Sequence, residues 1–242
     1  MTKEREAKRV SPWAIIAVLL VVLLVLRMAL KTEPPVIRVV PDTKYTSEIF
    51  SGFFWLFQEQ FLKWLRDDGG RLGLGFNTAL IRVSEEEHSF AFSLEYDDKN
   101  GRERKVVITK LPKPASPLEL DILLRVALGS VERMLKIVET PSDLADYPRA
   151  SIFTDSFRYH ILLAVARAPD SRLFSGWKFS PKFEQRDGRL LLRMDAVLEN
   201  QNVWLEAEIP LGESDILAAA KTAAGELYGK MVAVAWAKFH AV

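Results

Sequence analysis

The chain contains an internal duplication. The segment from about Thr46 to Val138 is followed by a degenerate copy, in the same order, between about Arg149 and Phe239. The separation between matching positions falls from 103 residues, between Ile49 and Ile152, to 94 residues, between Asp121 and Asp215. Such a gradual fall is expected when one copy loses loop residues. Two copies of about 95 residues should fold as two similar units that bury their apolar faces together.

Each copy carries the same predicted order of elements. A first helix is capped by Thr46 or Ser47, three strands separated by polar turns follow, and a closing helix opens at 116–119, which has capping-box spacing. In the first copy, 97–101 is a strong hairpin signal. In the second copy the helices lie near 151–167 and 214–239, and Asp187-Gly188 makes a turn. We predict an α+β fold: a tandem duplication of an α-β-β-β-α unit forming a six-stranded antiparallel sheet packed with four helices. Repeat 1 covers 46–140, and repeat 2 covers 149–242 and packs with repeat 1 as one pseudo-twofold domain.

The N-terminal region predicts a membrane anchor. A short basic tail (1–10) precedes a transmembrane helix (11–31), and Pro12 to Leu26 contains no charged side chain. The stretch 12–30 is about 28 Å long as a helix, close to the hydrocarbon thickness of a bilayer. Trp13 would anchor one interface, while Arg27 would extend its guanidinium to join Lys31 at the other. The prolines at 32–45 then indicate an extended stalk.

The flanking charges predict the topology. A cleaved signal peptide is the alternative, but no small-x-small site follows the apolar run, so an uncleaved signal anchor is favoured. Four basic residues precede the span, which indicates a cytoplasmic N-terminus. We therefore expect a single-pass protein of the inner (cytoplasmic) membrane with its main domain in the periplasm or outside the cell. A cytoplasmic domain stays open as the opposite topology.

The composition excludes several classes of function. The chain has no cysteine, which removes disulfides and thiolate chemistry, and its formal net charge of +1 argues against a nucleic-acid binder. The turn Glu85-Glu86-Glu87-His88 is interpreted as a solvated hairpin tip, because consecutive side chains point in different directions and few converge on one ion. Ser156 and His160 share a helical face, but a nucleophile elbow and a third member are missing. No catalytic, cofactor-binding or metal-binding residue is therefore predicted.

Two helices carry unusual surfaces. The first helix after the stalk is apolar around most of its circumference, which indicates either burial on two sides or an exposed face for docking. Its candidate interaction surface comprises Phe50, Phe53, Phe54, Trp55, Phe57, Phe61 and Trp64. The last helix is rich in small residues, and its Gly225-x-x-x-Gly229 spacing suggests either close packing on its own domain or self-association.

These features favour a non-enzymatic function. We expect a membrane-anchored structural or adaptor subunit of a bacterial cell-envelope assembly, which binds the bilayer through residues 12–30 and binds protein partners or a second copy through the duplicated domain. The alternative is a membrane-tethered protein that binds lipid or a small apolar ligand in a cavity lined by Phe53, Phe57, Trp64 and Trp177. A hydrolase centred on His160 is the least favoured alternative.

Overall fold

A computed structural model describes residues 36–42, 47–67, 78–97, 101–137, 147–174, 176–199 and 201–240. The elements are, in chain order, β1 (Val36–Pro41), α1 (Glu48–Asp67), β2 (Thr78–Glu85), β3 (Ser89–Asp97), β4 (Glu103–Pro112), α2 (Pro117–Ile137), α3 (Tyr147–Ala166), a short 3₁₀ helix (Ser171–Phe174), β5 (Lys178–Arg186), β6 (Arg189–Leu198), β7 (Gln201–Glu208) and α4 (Glu213–His240). The predicted α+β class is confirmed, and each repeat has the predicted order of helix, three strands and helix.

The strands form two sheets, so the predicted single six-stranded antiparallel sheet is wrong. One sheet has the order β1-β2-β3-β4 and the other the order β5-β6-β7. No strand of the second repeat pairs with β4 in the described part of the chain, and helix α3 packs directly against β4. Strand pairing between the repeats is therefore replaced by contacts between a helix and a strand.

The first sheet also contains a strand that the sequence assigns to the stalk. β1 pairs with β2 in parallel, with Ile37 beside Ala79 and Val39 beside Ile81, so the pairing in this sheet is mixed. Ile37 and Val39 are buried, whereas Val36 and Arg38 are exposed. This alternation of period two is the pattern of a strand with one buried face, and it attaches residues 36–41 to the domain.

Local signals of the sequence position the elements as expected. The Ser47 hydroxyl accepts a hydrogen bond from the Phe50 amide at 3.1 Å, which caps α1. At α2 the Ser116 hydroxyl accepts from the Glu119 amide at 3.3 Å, and the Glu119 carboxylate accepts from the Ala115 amide at 2.7 Å. The predicted hairpin turn between β5 and β6 has Gly188 at φ 74°, a conformation that favours glycine.

Helix α3 joins the two repeats. Its Tyr159 and Leu163 belong to the apolar core of the first repeat, which is built on β1–β4, α1 and α2. Its Phe153 and Phe157 belong to the core of the second repeat, which is built on β5–β7 and α4. Because one helix contributes to both cores, it is surrounded on several sides, and every residue from Ser151 to Phe157 is buried.

The second sheet is covered incompletely. On β6, Leu190, Leu192 and Met194 face the core, but the side chains of the edge strand β5 are exposed along almost its whole length. Phe183, on β5, keeps 46% of its surface exposed. The helices of the second repeat therefore cover β6 and leave the apolar side of β5 partly open.

The predicted tail, transmembrane helix and first part of the stalk lie outside the described residues. This holds for the anchor residues Pro12, Trp13, Arg27 and Lys31. Among the helices within the described ranges, none combines the length and the apolar character needed to cross a membrane.

Candidate functional site

The aromatic side chains of α1 are mostly core residues. Phe50, Phe53, Phe54, Phe57 and Phe61 are buried, and Trp64 is partly buried against the same core. The ring of Phe53 lies 5.1 Å from that of Phe90 and 5.9 Å from that of Phe92, between ring centres, on the facing strand β3. Edge-on and tilted contacts at these distances stabilise a packed core. The predicted interaction surface is therefore corrected: five of its seven residues lie inside the domain.

The exposed side of α1 nevertheless carries large apolar side chains. Trp55 is 69% exposed and Ile49 is 55% exposed, and Leu56 and Leu62 also lie at the surface. Ile49 and Leu56 are two turns apart on one flank, and Trp55 and Leu62 are two turns apart on the other, because seven residues make nearly two helical turns. The polar side chain of Glu59 lies between the flanks. A helix that presents apolar groups on both flanks is a candidate surface for a protein partner.

The two glycines of α4 lie on the outside of the domain. Gly225 and Gly229 are exposed, and a Cβ atom built at either position meets no atom of the described residues within 4 Å. Close packing of these glycines on their own domain is therefore wrong within the described structure. The alanines Ala220, Ala223, Ala224 and Ala235 face the core instead.

His160 and the tip of the β2–β3 turn lie around one open pocket of about 570 Å³, together with Lys110 of β4 and Lys221 of α4. Burial and then the charge of Lys221 lower the pKa of His160 to about 4, so its imidazole is neutral at pH 7. The buried Ser156 hydroxyl has no hydrogen-bond partner among the residues that the structure describes, so no bond from His160 activates it. The pair lacks the contact that a nucleophile and its base require.

The acidic residues of that turn are engaged in structural contacts. Glu85 accepts from the Ser47 amide at 2.8 Å and pairs with Lys113 at 2.8 Å, whereas Glu86 pairs with Lys110 at 2.8 Å. Within the described residues no group of three or more histidine or acidic side chains is arranged to hold a metal ion. These contacts therefore connect the end of β2 to the start of α1 and to β4.

A polar cluster connects the two repeats. The Glu119 carboxylate, at the start of α2, accepts from the Tyr159 hydroxyl at 3.3 Å and from the Arg167 guanidinium. Burial and then the Glu119 charge raise the pKa of Tyr159, which keeps the phenol protonated. Further along the same helices, Arg133 binds the fully buried Asp155.

Arg158 is not among the functional residues predicted from the sequence. It lies next to the Arg133–Asp155 pair, beside a pocket of about 480 Å³ between α3 and the inner side of β5 and β6. Its pKa is lowered by burial and then by the charge of Arg133, whereas Asp155 acts in the opposite direction. In the sequence Arg158 is one of 33 basic residues, and its neighbours in the chain do not reveal its burial.

No protein-family model, no curated protein and no solved structure matches this chain.

Proposed function

We propose that the protein is a single-pass, membrane-anchored structural or adaptor subunit of a bacterial cell-envelope assembly, with no catalytic role of its own. The observation that carries the proposal is the exposed side of α1, where Trp55 and Ile49 keep more than half of their surface in solvent. A tryptophan so exposed is unfavourable in water, and tryptophan is enriched among residues that dominate protein interfaces.

The position of α1 in the chain supports docking near a membrane. The helix begins at Glu48, and only 17 residues separate it from Leu30, the end of the predicted span. In the proposed topology the N-terminus is cytoplasmic and the domain lies in the periplasm or outside the cell. Alkaline phosphatase and green fluorescent protein fused after Val242 test this topology: activity of the first with no fluorescence from the second is expected, and the reverse result contradicts it.

The lipid-binding alternative loses its predicted cavity. Phe53 and Phe57 are completely buried in a packed cluster, and Trp177 is 8% exposed within the core of the other repeat. Such packing leaves no room for a ligand between these three aromatic residues. The hydrolase alternative lacks a hydrogen bond between Ser156 and His160, as described above.

Site-specific photocrosslinking tests the adaptor proposal. A photoreactive amino acid replaces Leu56 in the full-length protein in membranes, and the matched control places it at Asp121, an exposed residue of α2. We expect a discrete protein adduct from position 56 alone, and we expect the additional substitution W55D to abolish it. Equal adducts from both positions, or an adduct that W55D leaves unchanged, would refute docking through α1.

A further inference from the structure

The pocket beside Arg158 has an apolar lining and one charged rim. It lies between α3 and the partly open apolar side of β5, next to β6. Besides Arg133 and Arg158, its wall is formed mainly by Phe157, Ile161, Leu162, Phe179, Pro181 and Met194. Its volume of about 480 Å³ lies within the range of pockets that bind small molecules.

Two arginines and one carboxylate lie at the rim within the described part of the chain. Asp155 neutralises the charge of Arg133, whose guanidinium also donates to the hydroxyl of Ser130. Asp155 also accepts from the Ser151 hydroxyl at 3.2 Å, so both of its oxygens are engaged. Arg158 makes no hydrogen bond or salt bridge with any residue in the described part of the chain, although it lies within the field of the Arg133–Asp155 pair.

A partly buried guanidinium that has no acceptor among the described residues is energetically unfavourable. Partial burial removes some of the water around its five N–H donors, and no acceptor among the described residues replaces that water. The pKa of Arg158 is lowered because its charged form is destabilised by the same burial. An arginine held in this state on an apolar pocket is suited to bind an anion, since a carboxylate accepts two parallel hydrogen bonds from one guanidinium.

We propose that this pocket binds a singly charged anionic amphiphile, namely a carboxylate carried on an apolar chain, as in a medium-chain fatty acid. The carboxylate pairs with Arg158, and the chain lies along Leu162 and Ile161 over the open side of β5, where it covers Phe179 and Pro181. One net positive charge at the rim selects one negative charge on the ligand. Thr154 also lines the pocket, but its hydroxyl donates to the Ala150 carbonyl at 2.7 Å. The remaining described lining is apolar and has no group to solvate a second charge, which disfavours a dianionic head group.

This site is separate from the exposed flanks of α1, and its failure would leave the proposed adaptor function standing. The probe is decanoate with a diazirine at the end of its chain, added to the full-length protein in detergent micelles, and the labelled peptides are mapped by mass spectrometry. We expect labels in α3 and β5. Excess decanoate should remove them, whereas decanol and decylamine, which have the same chain with a neutral or cationic head, should not.

Two variants and one control identify the protein group that recognises the carboxylate head group of the ligand. R158Q removes the charge and keeps most of the length, and labelling should fall by at least about tenfold, as expected when a charge-assisted hydrogen bond is lost. R125Q is the matched control: Arg125 lies on α2, is 72% exposed and pairs with Asp121, so labelling should stay unchanged. L162W fills the rim of the pocket from a partly exposed position, and it should reduce labelling even if R158Q proves to be poorly folded.

The opposite outcomes would overturn the proposal. Equal labelling of wild type and a folded R158Q, or competition by decanol as effective as that by decanoate, would show that the head group is not recognised. Labels found solely within residues 12–30 would show partition into the micelle with no binding at the pocket. The absence of any label would exclude the ligand class altogether.

Discussion

His160 should make the stability of the domain depend on pH. Its imidazole is partly buried beside the ring of Tyr159, with 5.1 Å between ring centres, and Lys221 of α4 adds an unfavourable positive charge. Its pKa is lowered from 6.5 to about 4 in the folded protein. The unfolded chain therefore binds more protons between these two values, and the free energy of unfolding falls as the pH falls through this window.

The size of the effect follows from the two pKa values. At pH 5 the unfolded imidazole is almost fully protonated and the folded one is mostly neutral, which corresponds to a loss of about 2 kcal/mol relative to pH 8. Because His160 is partly exposed and solvent screens the charge of Lys221, we discount this to about 1 kcal/mol. At pH 8 the imidazole is neutral in both states and contributes nothing to the dependence.

The assay is urea unfolding of the full-length protein in micelles, followed by tryptophan fluorescence at pH 8 and at pH 5. The variant H160Q keeps a polar side chain that does not titrate. From pH 8 to pH 5 the free energy of unfolding of wild type should fall by about 1 kcal/mol more than that of H160Q. As a control, H88Q changes the exposed imidazole at the tip of the β2–β3 turn and should retain the dependence of wild type. This account of His160 would be refuted if the free energy of unfolding fell equally in wild type and H160Q. It would also be refuted if wild type became more stable at low pH.

Two further predictions separate core from surface and test the link between the repeats. F53A should lower the free energy of unfolding by about 3–5 kcal/mol because it leaves a cavity in the core, whereas W55A should change it by about 0.5 kcal/mol or less; similar losses measured by urea unfolding would mean that α1 packs differently. R133L should cost about 2 kcal/mol because it leaves the buried Asp155 without its main partner, although nearby Arg158 limits the loss. The double variant R133L/D155L should recover part of that stability in the same assay, and a purely additive double variant would show that the two residues are not coupled.

Much of the secondary structure could be predicted because it depends on local signals. The cap at Ser47, the capping box at Glu119 and the turn at Gly188 lie in the structure where the sequence places them. Each of these signals involves only a few residues, so residues close in the sequence are sufficient to recognise it. The strand β1 could also have been found, because Ile37 and Val39 alternate with Val36 and Arg38. The prolines before β1 and Pro41 at its end favour the stalk interpretation, but a proline at the end of a strand does not prevent a short edge strand.

The arrangement of the sheets could not be predicted in the same way. The apolar pattern of β4 indicates a buried face, but it does not state whether a strand or a helix lies beside it. The same holds for α1, whose apolar residues surround the helix in the sequence. The structure buries Phe53 and exposes Trp55, two residues apart, because only one side of the helix faces β3.

The sequence by itself determined the duplication, the order of helix, strands and helix in each copy, and the absence of cysteine chemistry. These properties depend on composition and on patterns within one element. Only the tertiary structure decided that the repeats meet through α3, that β5 stays partly open, and that Arg158, beside an apolar pocket, forms no hydrogen bond or salt bridge with the described residues. The physical reason is that burial and pairing belong to groups brought together from distant parts of the chain, such as Arg133 and Asp155, and no local pattern records which groups these will be.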